Sequence, residues 1–175
     1  INELITESKN NPRSLVEAVP IGTIPHLVGV MLKNSANFET KMIGSVGGSA
    51  DRLQKVESGE IKRLMVFLPP RSSKSVICSK LFPAWYIGKH PQSEILTVSH
   101  SDQLASDFGR SVRDLVNFDL FNTVFPDVQL RSDVRAAGKW KTNQGGTYYA
   151  AGVRSQIAGR GAHIAILDDV MSEED

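Results

Sequence analysis

RLMVFLPPRSSKSVICSKL, residues Arg63 to Leu81, decides the fold. The apolar stretch Leu64–Phe67 precedes Pro69 and Pro70, then Arg71, Ser72, Ser73, Lys74 and Ser75. The apolar run predicts a buried strand. Lys74 to about Tyr86 predicts a helix, with Val76, Ile77 and Leu81 inward and Pro83 as a kink or stop near its end. Strand, tight loop, Lys-Ser and helix is the rhythm of a phosphate-binding loop. In such a loop backbone N–H groups curl around the anion and the helix aims its positive end at it. The lysine reaches the β/γ-phosphates, and the next hydroxyl binds Mg²⁺. Both glycines of the usual G-x-x-x-x-G-K-[ST] pattern are replaced here, by Leu68 and Ser73. Glycine supplies close approach and positive φ at such places. Taken alone, the loop leaves a nucleotide site and an ordinary strand–turn–helix both open.

A second stretch, GAHIAILDDV, tips that balance. His163–Leu167 is an apolar run ending in Asp168 and Asp169. Ligands of open α/β sheets sit at the carboxyl ends of strands. There Asp168 would hold Mg²⁺ through water, and Asp169 would orient or deprotonate an attacking water. By itself the pair reads rather as a solvated acidic turn, or as a helix cap by Asp169. In order with the loop, it favours the nucleotide reading. Phosphoryl transfer also needs positive charge near the γ-phosphate, from the same chain or a neighbour. Arg71 in the loop, Arg154, and Arg160 between two glycines are the candidates.

The rest of the chain supplies alternating elements. Ser49 caps a helix carrying Leu53 and Val56, which Gly59 ends. Glu94–Ser99 reads as a second strand. Ser101 and Asp102 cap a helix with Leu104, Phe108, Val112, Leu115 and Val116 on one face. Asn117–Gly138 reads as loop and short turns. Lys139–Thr142 and Thr147–Ala151 flank Gly145-Gly146, a hairpin signal. Strands alternating with helices predict an α/β fold, a mostly parallel sheet with helices on both faces. Residues 1–48, broken by Pro12, Pro20, Gly22, Pro25 and Gly44, read as an irregular or helical N-terminal cap.

Composition narrows the class. At 175 residues, with 41% hydrophobic and 22% charged residues, the chain has the make-up of one globular domain. A net charge of +1 gives no global pull toward DNA or an acidic membrane, so nucleic-acid contact needs a local patch; Arg131, Arg135, Lys139 and Lys141 are the candidates. The lone Cys78 excludes an internal disulfide and reads as core filling. No apolar run reaches membrane-span length, and INELITESKN lacks the order of a signal peptide. His100 reads as a polar strand end or as a coupling or DNA contact. Trp85, Tyr86 and Trp140 read as core or edge packing.

GEIKRLMVFLPPRSSKS, FPAWYIGKHP, ILTVSHSDQLASDFGRSVRDLV, GGTYYAAGVRSQIAGRGAHIAILDD and SEED, in this order over Ser49 to Asp175, resemble the ATPase domain of tailed-phage large terminase subunits. In that family the loop commonly reads P-P-R-x-G-K-S, so the departure is Ser73. The resemblance implies a P-loop ATPase of the additional-strand class over residues 49–175, hydrolysing ATP with Mg²⁺ to push double-stranded DNA into a procapsid. Pro69, Pro70, Arg71, Ser72 and Ser73 would wrap the triphosphate, and Lys74 would contact the β/γ-phosphates. Ser75 and Asp168 would hold Mg²⁺. Asp169 would be the catalytic carboxylate, where many terminases have glutamate. Arg71 would sense the γ-phosphate, and a neighbouring subunit would present Arg160. The implied assembly is a homo-oligomeric ring on the portal protein, working with the small terminase subunit in the host cytoplasm. A nuclease domain and further sheet strands are expected downstream of Asp175, and the chain, lacking an initial Met, reads as a piece of a longer protein. A helicase-like DNA-dependent ATPase and a non-hydrolysing P-loop module are the alternatives.

Overall fold

The structure is a computed structural model, and it describes residues 51–67, 73–157 and 159–171. The expected N-terminal cap, 1–48, lies outside the described residues, as do Leu68–Ser72 and the trailing SEED. Two units divide the chain, Ile1–Ile77 and Cys78–Asp175.

In the first unit, residues 51–57 form helix α1, with Leu53 buried. Gly59 ends it as expected: φ is +79° and its N–H donates to Val56 O at 3.1 Å. The expected strand Leu64–Phe67 does not form. Its residues are irregular, and Met65 and Phe67 are 79% and 82% exposed. A strand exists only by pairing, and residues 64–67 carry no strand structure. Apolar content alone did not make it a ladder.

The second unit carries a five-stranded sheet. Its strands are β1 (Glu94–Ser99), β2 (Leu130–Ala136), β3 (Lys139–Thr142), β4 (Thr147–Gly152) and β5 (Ile164–Leu167), in spatial order β2-β3-β4-β1-β5. β1 runs parallel to both β4 and β5, while β3 is antiparallel to both β2 and β4. The sheet is therefore mixed, which corrects the expected mostly parallel one. The cause is the β3–β4 hairpin. It adds an antiparallel ribbon to the edge of β4, with Trp140 opposite Tyr148 and Lys141 opposite Thr147. Gly145 supplies the turn's positive φ, +98°.

Helically, Lys74 and Ser75 lead into a π-helical turn, Val76–Leu81, and then helix α2, Phe82–Lys89. Pro83 sits in the first turn of α2, where a missing N–H is harmless, and the helix runs on to Lys89. The expected stop at Pro83 is thus a restart. Helix α3, Asp102–Val116, is N-capped by Ser101, whose Oγ accepts from the Leu104 N–H at 3.3 Å. Asn117–Gly138 is not merely loop. It holds helix α4, Asp119–Val124, which buries Phe121 and Val124, and the edge strand β2. Strand β2 reads LRSDVRA and is mostly exposed, so it shows no apolar alternation. Pairing with β3 and the Arg131–Asp133 ion pair hold it instead.

The core lies between α3 and one face of the sheet. Trp140 and Tyr148, both fully buried, stack with centroids 4.9 Å apart. Trp140 Nε1–H donates to Gly109 O of α3 at 3.1 Å. A Cβ on Gly109 would stand 2.2 Å from Ala137 O, so the close approach requires glycine. The Tyr148 hydroxyl donates to Thr97 Oγ1 at 2.8 Å, and burial pushes the Tyr148 phenol's pKa well up. Trp85 and Tyr86 are buried, as their reading as core predicted, whereas Cys78 is only half-buried.

Candidate functional site

Of the predicted loop residues, Pro69, Pro70, Arg71 and Ser72 lie outside the described residues. Ser73, Lys74 and Ser75 belong to the first unit and are half-buried. Ser73 has φ +64°, the left-handed conformation in which a Cβ is strained. Its carbonyl accepts from the Ile77 N–H at 3.0 Å, the first bond of the helix that Lys74 and Ser75 open. The position where the pattern asks for glycine thus has the backbone that glycine favours, held by serine.

The acidic pair lies in the second unit, at the carboxyl end of β5. Asp168 N–H donates to Val98 O at 3.0 Å, extending the parallel β1–β5 ladder one step past Val98↔Leu167. Alternation along a strand then puts Asp168 and Ser99 side by side on the face that also carries Thr97. Asp168 is 4% exposed, and its Oδ2 accepts from the Ser79 hydroxyl at 2.7 Å. Ser99 is fully buried, and among the described residues its Oγ has no hydrogen-bond partner. Asp169 is exposed and has φ +48°, a left-handed backbone that Asp tolerates better than most residues. Its carbonyl accepts from the His100 N–H at 2.8 Å and lies 3.2 Å from His100 Nδ1. Burial therefore separates the two carboxylates: one is enclosed and bonded to a hydroxyl, the other open to solvent.

Arg160 is placed elsewhere. Its guanidinium lies 3.8 Å from the Tyr149 ring centroid. Tyr149 stands level with Leu96 and Ala165, two strands across from β5. That level is about 10 Å short of Asp168 along the strand direction. The structure thus brings Asp168 together with Ser79 and Ser99, and Asp169 with His100, but keeps Arg160 over the middle of the sheet. Stacking on an aromatic face leaves the guanidinium's edge donors directed outward.

At the neighbouring end of α3, Asp102 accepts from the Gly152 N–H at 2.7 Å and from the Ser155 hydroxyl. The Ser155 bond first, then the Gly152 bond, lower its pKa below the ordinary 3.8. This fixes the turn after β4, from which the Arg160 segment departs. The Arg131, Arg135, Lys139 and Lys141 group is partly spoken for. Arg131 pairs with Asp133, and Arg135 donates to Arg131 O and Leu130 O.

Among the described residues, no three His, Cys, Asp or Glu side chains gather as a metal cluster. Mg²⁺ needs none, since it takes one or two carboxylates and completes its shell with water and phosphate. The oxygen-only set around Asp168, with the orphaned Ser99 hydroxyl beside it, fits such a hard cation. No helix among the described residues is long and apolar enough to cross a membrane. Sequence reading missed Ser79, Ser99 and Tyr149; only the alternation Thr97, Ser99 along β1 hinted at the second. Comparisons with protein-family models, curated proteins and solved structures find no match.

Proposed function

We propose that this chain is the ATPase portion of a tailed-phage large terminase subunit, hydrolysing ATP with Mg²⁺ to drive double-stranded DNA into a procapsid. The observation that carries it is Ser73 at φ +64° directly before Lys74 and Ser75 at a helix start. A phosphate loop needs positive φ at that position. The proposed architecture is a P-loop fold of the additional-strand class, and the parallel pairs flanking β1 and the acidic end of β5 agree with it.

In this reading Pro69 to Ser73 wrap the triphosphate and Lys74 places its ammonium on the β/γ-phosphates. Ser75 and Asp168 would hold Mg²⁺, which when bound would supply charge neutralisation at the phosphate oxygens. Asp169, exposed at the strand end, orients a water against the γ-phosphorus and takes its proton. An oxygen–phosphorus bond forms there while the bond to the β–γ bridging oxygen breaks, releasing phosphate and ADP. Arg71 and Arg160 offset the charge on the transferred group. Arg160 lies far from Asp168 in its own chain, which suits service to a neighbouring copy in a ring. Portal protein, small terminase subunit and DNA are the proposed partners, in the host cytoplasm.

Lys74→Ala is expected to abolish ATP turnover in the full-length protein while the fold persists by circular dichroism. Unchanged turnover in a folded variant overturns the assignment. Procapsid filling, as opposed to strand separation, distinguishes the motor from a helicase-like ATPase.

A further inference from the structure

The enclosed end of β5 holds two hydroxyls that the mechanism above does not use. Ser79 and Ser99 are both fully buried, and Asp168 is 4% exposed. They are not equivalent. Ser79 Oγ–H donates to Asp168 Oδ2 at 2.7 Å, whereas Ser99 Oγ has no partner among the described residues. A buried hydroxyl left unpaired is costly, and such an orphan in a folded protein calls for an explanation. It is one residue past Val98 on β1, in the rank that the Asp168 N–H bond to Val98 O continues, so it neighbours the Asp168 side chain.

Resting on the proposed function, we infer that Ser79 and Ser99 complete the Mg²⁺ site, Ser79 as the positioning residue for Asp168 and Ser99 as an added outer ligand. Ser79 acts on the carboxylate through geometry: its bond to Oδ2 sets the rotation of the carboxylate plane. Orientation of this kind is what an outer-shell partner gives a carboxylate that holds a cation or its water. The π-helical turn is the structural device. Ser79 lies within Val76–Leu81, where i→i+5 bonding widens the helix, and such turns recur at functional sites. Ser99 supplies the complementary group. Its hydroxyl is both donor and acceptor, so it can take a water of the ion that Asp168 holds. The orphaned hydroxyl is then satisfied when the ion is bound, and left unpaired when it is not.

The test uses the full-length protein and its Ser79→Ala, Ser99→Ala and Asp168→Asn variants. Mn²⁺ bound with ADP is followed by electron paramagnetic resonance, and ADP affinity in EDTA by calorimetry. Ser79→Ala and Ser99→Ala are each expected to weaken Mn²⁺ about tenfold, with metal-free ADP affinity unchanged. In the Asp168→Asn background Ser79→Ala should have no further effect on the metal. Ser99→Ala should also raise the melting temperature of the metal-free protein, because it deletes an unsatisfied buried group. Mn²⁺ affinity unchanged in both variants, with only melting temperatures moved, overturns the inference and leaves the ATPase reading standing. A wild-type protein that binds no ADP in either condition overturns both.

Discussion

His100 holds Asp169 by its backbone: the His100 N–H reaches the Asp169 carbonyl at 2.8 Å, and His100 Nδ1 lies 3.2 Å from the same oxygen. The residue it holds, Asp169, has φ +48°. It ties the carboxyl ends of β1 and β5 together just where the exposed carboxylate stands. Asp169→Asn should keep that backbone, since Asn also tolerates it, and change stability by less than about 0.5 kcal/mol. ATP turnover should fall about 10²–10⁴-fold, as for loss of a general base. His100→Ala retains the backbone bond and loses the ring contact. It should lower turnover about tenfold with little change in melting temperature. Equal loss of stability and turnover in both variants would argue that the clamp is only structural.

Ser73 offers a test of backbone strain. A left-handed L-residue costs roughly 1–2 kcal/mol, and Ser73 is at φ +64°. Glycine removes that strain but gives up about 0.5–1 kcal/mol through its freer unfolded chain. Ser73→Gly should therefore stabilise by up to about 1 kcal/mol in urea unfolding. Ser73→Val, β-branched, should destabilise by about 1–2 kcal/mol. ADP should bind at least as tightly to Ser73→Gly as to wild type by calorimetry.

The Tyr149–Arg160 stack separates binding from turnover. Arg160→Ala should reduce turnover and leave nucleotide affinity unchanged, because the guanidinium lies over Tyr149 and away from Asp168. Tyr149→Phe keeps a ring beneath the cation and should act as wild type. Tyr149→Leu removes about 0.5–1 kcal/mol of stacking and should reproduce part of the Arg160→Ala defect. Steady-state kcat and KM for the three variants decide it.

Much of this was legible from local pattern. Strand Glu94–Ser99, the Lys139–Thr142 strand and its Gly145-Gly146 turn, the Ser101 cap and the Gly59 stop all follow from chemistry within a few residues. What escaped depends on distant partners. LRSDVRA becomes a strand only because β3 lies beside it. Leu64–Phe67 has strand composition and no ladder. At the site, the acidic pair was readable as a pair. Its division into a buried and an exposed carboxylate was not, because Ser79 meets Asp168 across 89 residues of chain.

Acid stability gives a further check. The folded pKa of Asp102 is depressed by the Ser155 hydroxyl and the Gly152 N–H. A depressed carboxylate contributes stability that is present above its ordinary value of 3.8 and is lost as pH falls through the lower folded value. Asp102→Asn should therefore lose less stability than wild type as pH falls from 3.8 through the lower folded value, measured by urea unfolding at a series of pH values. Parallel curves would show that the turn after β4 does not depend on this carboxylate's charge.

The mixed sheet also sets an order of assembly. Its antiparallel turn closes over short spans: Thr142 Oγ1 accepts from the Gly146 N–H four residues on. The parallel pairs close over long ones: Tyr148 reaches Thr97 across 51 residues, and His163 reaches Glu94 across 69. Long loops carry a larger entropic cost before any contact repays it, and distant pairings form slowly. The ribbon β3–β4 can thus form early and wait, while docking of β5 against β1 comes late. Asp168, Ser79 and Ser99 are assembled by that last docking event, so the proposed metal site exists only in chains whose folding has run to completion.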